Sequence, residues 1–310
     1  MVALKFDPPP FKRLFVGVSG GLDSIVLAHL AMRQGLAPTL VHVHHHLQPE
    51  ADGWLQFVQD FAAKHEAPLQ IFHVKTRPGH AESIEAFARQ ARYDFFRQVL
   101  EEKEDLLCLA HHQDDQVETF MINLVRGAGL NGLTAMPSVR PLGHGCLWRP
   151  LLAYSRQDLE AYADVHDLEW VEDPSNQDSR FDRNFLRNEI LPLFKARWPH
   201  FQERVQNSIM HLQAVRHIME RHLELKLQLL HEAPGSLNLA RLREQDRSEQ
   251  ILLLQEWVKQ FAGLRLSSVH LERILQDFIE TDNDAKPLFQ FHGWALRRDR
   301  RCLFLSREGV

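Results

Sequence analysis

Residues 19–24, Ser-Gly-Gly-Leu-Asp-Ser, set two glycines, two hydroxyls and a carboxylate where a β-branched run (Val16, Val18) meets an apolar helical stretch. Glycine permits positive φ and close backbone approach. Amides at a helix start face outward and make an anion site suited to phosphate. The familiar nucleotide loop ends in Gly-Lys-Ser/Thr; this one carries Asp23 and no lysine. A carboxylate repels phosphate unless a cation lies between them, so Asp23 implies a Mg²⁺–phosphate contact. The plainer alternative is a glycine-rich turn with an acid at the helix start. A second cluster, AHHQDDQVETF (110–120), follows a β-rich run. If a helix starts near Asp114, then Asp115, Glu118 and Thr119 share one face, and the two carboxylates suit a metal or an ammonium group. Acids that merely complement the helix dipole are the alternative.

Two further groups are basic. Arg183 and Arg187, four apart, share a helix face near Arg180 and Asn184. On an isolated helix they read as a solvated face pairing with Asp178, Asp182 and Glu189. Arg297, Arg298, Arg300 and Arg301 flank a turn beside Trp294, and Arg89 and Arg92 lie three apart on a helical stretch. The histidines 42, 44, 45 and 46 suggest zinc at first sight. On a strand, however, 42, 44 and 46 point one way and 45 the other, and no zinc site is expected there.

Elements must position these groups. RLFVGVS (13–19), APTLVHVHH (37–45), LQIFHVK (69–75) and DLLCLAHH (105–112) read as strands. Between and after them, 23–34, 51–66, 82–102 and 114–125 read as helices. This alternation predicts an α/β fold, a Rossmann-like parallel sheet with helices on both faces. Ligands in such sheets sit at the carboxyl ends of the strands. From 201 to 230 there is no Gly or Pro, and apolar residues at steps of three and four from Phe201 to Leu230 make one stripe of a long helix. A break at 233–236 precedes a small α+β unit: a strand at SLNL, helices over 246–261 and 268–280, and two strands joined at Asp299. The expected domains are 1–200 for catalysis, 201–232 as a helical linker, and 233–310.

The loop SGGLDS matches the SGGxDS pyrophosphate-binding loop of the N-type ATP pyrophosphatases (PP-loop enzymes), and HHQDDQVET resembles the signature of the tRNA(Ile)-lysidine synthase family. EAFARQARYDFF (85–96), RGAGLNGL (126–133), RPLL (149–152) and EDPSNQDSRFDRNFLR (172–187) agree in order and spacing, covering most of 14–192. At His46 the family often has glycine. The resemblance implies an ATP-dependent carbon–nitrogen ligase that adenylates the wobble cytidine of tRNA(Ile) with anticodon CAU and then joins free L-lysine to it. It places Ser19, Gly20, Gly21, Leu22, Asp23, Ser24, His44, Arg92 and His111 at ATP, with Asp23 holding Mg²⁺. Asp115 and Glu118 would hold lysine, and with Asp23 would form the catalytic set. Arg126, Arg180, Arg183, Asn184, Arg187, Arg297, Arg298, Arg300 and Arg301 would contact tRNA. Another PP-loop enzyme of tRNA, such as a thiolation enzyme, is the alternative, although those acting on a nearby cytidine usually carry paired cysteines.

Composition narrows the classes. The 310 residues are 44% hydrophobic and 25% charged, with a formal net charge of −5. That excludes a bulk polyanion binder and leaves RNA contact to local patches. Cys108, Cys146 and Cys302 are scattered, which argues against a disulfide framework, a zinc ribbon or a cluster on paired thiolates. No apolar run approaches a membrane span, and MVALKFDPPPFKRL lacks the apolar core of a signal peptide. A cytoplasmic protein is expected, with a homodimer left open and without the second C-terminal domain of longer family members.

Overall fold

A computed structural model describes residues 4–46, 48–75, 84–281 and 287–307. The chain divides into two units, Met1–Leu212 and Gln213–Val310. In the first, six strands form one sheet: β1 (Arg13–Gly17), β2 (Thr39–His44), β3 (Leu69–His73), β4 (Asp105–Cys108), β5 (Val139–Leu142) and β6 (Gly145–Trp148). Their order is β3-β2-β1-β4-β6-β5. Chain direction across the sheet reverses between β1 and β4, which pair in parallel with Val16 opposite Cys108. This is the switch point at which α/β sheets open a ligand crevice. At the opposite, amino ends of the two strands, Arg13 donates through Nε and Nη2 to Asp105 at 2.7 and 2.6 Å.

Alternation along β1 explains the two covered faces. Leu14 and Val16 join a core with Ile25, Val26, Val58 and Leu159, whereas Phe15 joins Tyr93, Phe96 and Val99 on the other side. The first core holds α1 (Leu22–Arg33) and α2 (Ala51–Lys64), and the second holds α3 (Ile84–Val99). The helix expected over 82–102 thus ends at Val99, and residues 82–83 lie outside the described residues. After β4 comes α4 (Gln113–Val125). The sheet is not wholly parallel: β5 pairs antiparallel with β6. The hairpin turns at Gly143, whose φ is +59°, and a Cβ on Gly145 would lie 2.4 Å from the Asp105 carbonyl oxygen. The run is short and its outer strand exposed, so it carries little of the hydrophobic alternation by which strands are recognised.

The long helix, Phe201–Leu230, spans the boundary between the units. In the second unit its Leu223, Leu227 and Leu230 join Trp257, Phe278 and Leu296 in a separate core. The sheet there is antiparallel, ordered β7-β10-β9-β8, from β7 (Ser236–Asn238), β8 (Leu288–Phe291), β9 (Trp294–Arg298) and β10 (Cys302–Arg307). The final segment therefore makes three strands rather than two. His292 and Gly293, at φ 48° and 77°, form the extra tight turn, the left-handed pair that hairpins favour. Asp299 joins β9 to β10, its Oδ1 accepting from the amides of Arg301 and Cys302 at 2.7 Å each. Among the described residues no helix is long and apolar enough to cross a membrane.

Candidate active site

The loop after β1 is closed by its own hydroxyls. Ser24 Oγ accepts from the Ser19 amide at 3.1 Å and donates to the Gly21 carbonyl at 2.9 Å. Gly20 takes φ +97°, and its carbonyl accepts from the Val171 amide at 3.0 Å. A Cβ at Gly20 would lie 2.9 Å from Val171 Cγ2, so both conformation and space require glycine. The turn delivers Asp23 into the first turn of α1. Its Oδ1 is buried with no hydrogen-bond partner among the described residues, and its Oδ2 lies 3.6 Å from His112 Nε2 and 3.8 Å from Arg156 Nη1. A buried carboxylate oxygen left without a donor fits a hard cation.

His112 joins this loop to the second cluster. It begins α4, with its amide donating to Asp115 Oδ2 at 3.0 Å and the Asp114 amide reaching its Nδ1 at 3.2 Å. Asp23, Asp114 and Asp115 each place a carboxylate oxygen 3.6 Å from its ring. Burial works against the charged ring, but those carboxylates outweigh it and push the pKa up to about 10. In the charged form the Nδ1 proton faces the Asp114 carboxylate, 3.6 Å away. Asp114 is itself held far below the usual carboxyl range; burial opposes this, and His112, the Arg156 amide and Lys195 overcome it.

Asp115 and Glu118 share the buried face of α4, as the spacing predicts. The structure brings Arg183 and Arg187 directly onto them. Arg183 donates to Asp115 Oδ1 at 2.7 Å and to Glu118 Oε2 at 2.6 Å. Arg187 donates through Nε to Glu118 Oε1 at 2.6 Å and through Nη2 to Oε2 at 3.0 Å. The surface pairing with Asp178, Asp182 and Glu189 therefore does not form for these two arginines. Apolar packing makes the difference: Val117, Leu186, Leu191, Val205 and Ile209 form one core, which presses the 183–190 segment onto α4. A single π-helical turn, Leu186–Ile190, follows Phe185 there, a feature frequent at functional sites.

Other expected residues divide. Arg180 pairs with Asp178 at 2.6 Å on the surface. Asn184 ties down its loop, donating to the carbonyls of Ser175 and Asp178 at 2.9 and 3.1 Å. Arg126 meets Asp182 at 2.8 Å. His111 is pushed down to about 3 by burial, with Arg149, Arg183 and Arg92 adding to the effect against Asp115. His45 is pushed down to about 4 by burial and by the same Arg92. His45 thus joins Arg92 and His111, and both histidines leave a buried Nδ1 without a partner among the described residues. His44 instead meets Asp52, His46 and His73. Sequence reasoning did not place His45 with Arg92 and His111, although strand alternation already separated it from His44. It also missed Gln116, whose side chain clamps Met136 by two 2.8 Å hydrogen bonds and so secures the 126–136 loop.

In the second unit Arg297, Arg300 and Arg301 are exposed. Arg298 is not: it is buried and donates to the carbonyls of Phe278 and Thr281 at 3.0 and 2.7 Å. It faces inward because residues alternate along β9, so it holds the fold of this unit rather than offering itself to a partner.

Comparison with known proteins shows the family. A PP-loop domain family matches residues 3–194, and a TilS substrate binding domain family matches residues 237–304. A tRNA(Ile)-lysidine synthase of Yersinia pseudotuberculosis serotype O:1b (strain IP 31758) is 39% identical over 300 residues, covering 95% of this chain and 66% of the relative. That of Serratia proteamaculans (strain 568) is 41% identical over 300 residues, covering 95% of this chain and 68% of the relative. The chain spans about two thirds of the length of these curated relatives. A solved structure, the U34-tRNA thiolase NcsA from Methanococcus maripaludis with its [4Fe-4S] cluster, is similar at a TM-score of 0.54 and 20% identity, over 64% of this chain and 71% of that one. At that identity the likeness concerns the fold.

Proposed function

The chain belongs to the tRNA(Ile)-lysidine synthase family, and from that premise we propose that it joins lysine to the wobble cytidine of tRNA(Ile) with anticodon CAU. The observation that carries the reading is His112, whose Nε2 lies 3.6 Å from both Asp23 and Asp115. It ties the phosphate loop to the acidic face of α4 across the switch point.

The cytidine C2 oxygen attacks the α-phosphorus of ATP, and the α–β phosphoanhydride bond breaks to release pyrophosphate. The ε-amine of lysine then attacks C2, loses a proton, and AMP leaves with the former C2 oxygen. Amides of the Ser19–Ser24 loop hold the departing pyrophosphate. Asp23 would hold Mg²⁺, which when bound offsets phosphate charge. His45, Arg92 and His111 border the nucleotide. Asp115 and Glu118 are the acidic partners for the lysine ammonium, and one of them takes the amine's proton. Their charges are balanced by Arg183 and Arg187, so in this reading the arginines shift toward RNA phosphate as lysine enters. Catalysis is assigned to 1–200, and RNA positioning to 233–310 through Arg297, Arg300 and Arg301. A thiolation reading is disfavoured because Cys108, Cys146 and Cys302 form no Cys-x-x-Cys pair and Cys108 is buried.

The test measures AMP release with ATP, lysine and unmodified tRNA, omitting each in turn. Release is expected only with all three, and Asp23→Ala is expected to lower it on the order of 10²–10³-fold while the fold is retained. Near-normal release by Asp23→Ala would remove Asp23 from the mechanism.

A further inference from the structure

We propose that His44, His46 and His73 form a binding site for a zinc-class divalent cation, with Asp52 able to supply a fourth ligand. Three local features bring the residues together. His44 ends β2 and stands in register with His73 at the end of β3. The strand has ended before His46, whose φ is +52°. His46 is therefore not a strand residue, and the alternation that argued against a histidine site stops before it. His42 is not part of the group, because its Nδ1 is engaged with the Val18 carbonyl at 2.8 Å.

The geometry is close to what such an ion needs. One ring nitrogen from each of the three histidines lies within 4.8 Å of the others. Imidazole nitrogens around tetrahedral zinc, at about 2.0–2.1 Å from the metal, stand about 3.3 Å apart. His46 Nε2 and His73 Nδ1 are already 3.1 Å apart. His44 and His46 have ring centroids 3.9 Å apart. His44 is only 2% exposed, yet neither of its ring nitrogens has a hydrogen-bond partner among the described residues. Asp52 Oδ1 lies 3.1 Å from His44 Nε2 but out of line for a hydrogen bond. A buried imidazole with both nitrogens unsatisfied, two neighbouring imidazoles and a carboxylate make a donor set suited to borderline divalent ions, not to Mg²⁺. His46 and His73 are exposed, which leaves the ion a path in from solvent. A bound ion would link the ends of β2 and β3.

The probe is zinc chloride, titrated calorimetrically into the untagged, chelator-treated full chain. One zinc per chain is expected. His73→Ala and His46→Gly should each weaken binding by more than the roughly 10–100-fold that follows loss of an outer-shell partner, and the double variant should lose the site. His46→Gly puts glycine at a positive-φ position, so its folding is not compromised. His217→Ala, an exposed histidine elsewhere, should change nothing. Cobalt(II) should give the intense visible bands of tetrahedral coordination in the parent chain and lose them in His46→Gly. No stoichiometric zinc in the parent chain, equal binding by the double variant, or a weak octahedral cobalt spectrum would each overturn the proposal.

Discussion

His111 and His112 are adjacent, and their surroundings drive them in opposite directions. Three carboxylates ring His112, whereas His111 is half-buried, with an Nδ1 unsatisfied among the described residues and arginines nearby. The consequence for stability follows from proton counting. Between its ordinary value of 6.5 and about 3, His111 binds a proton in the unfolded chain but not in the folded one. Its contribution is thus present above pH 6.5 and is lost as pH falls toward 3. Urea unfolding of the parent chain across this range is expected to show a steeper loss of stability than His111→Asn, the slopes differing by up to one proton. Equal slopes would show that the ring is not held neutral.

At the scale of elements, the site depends on how the 183–190 segment is pressed onto α4. Glu118 is fully buried, and its two oxygens take hydrogen bonds from two arginines. Removing one partner of a buried ion pair costs roughly 3–5 kcal/mol; because Arg183 remains, Arg187→Ala should fall toward the lower end. Adding Glu118→Gln should recover part of that loss, read as a coupling energy in a double-mutant cycle of denaturant unfolding. Additive effects would mean that the two side chains act independently. Much of this architecture was legible beforehand. The first four strands, the glycine turn and the shared face of Asp115 and Glu118 follow from local periodicity and turn chemistry, which neighbouring residues carry. The meeting of Arg183 and Arg187 with that face joins residues 65 to 72 positions apart, and spacing cannot encode it. The β5–β6 hairpin, the inward Arg298 and the convergence of His73 with His44 were likewise decided by register and tertiary packing.

For the whole molecule, a net charge of −5 means that the proposed RNA contact must come from exposed local arginines. Arg297→Ala and Arg301→Ala should each weaken tRNA binding and reduce its salt dependence by about one unit in the log–log slope, measured by filter binding over a salt series. Arg298→Ala should lower the unfolding temperature instead, because it strips hydrogen bonds from the carbonyls of Phe278 and Thr281. An unchanged salt slope in the first two variants would remove them from the RNA contact. The central claim, that the phosphate loop and the acidic face of α4 act together to join an amine to an RNA base, has one direct measurement. Labelled lysine is incubated with the full chain, Mg-ATP and unmodified tRNA(Ile) of anticodon CAU, and the RNA is digested and its wobble nucleoside analysed. The account predicts ATP-dependent label at that cytidine, none on a methionine tRNA with the same anticodon, and a raised lysine requirement in Asp115→Ala. ATP cleavage without label on the RNA, or label independent of ATP, would contradict it.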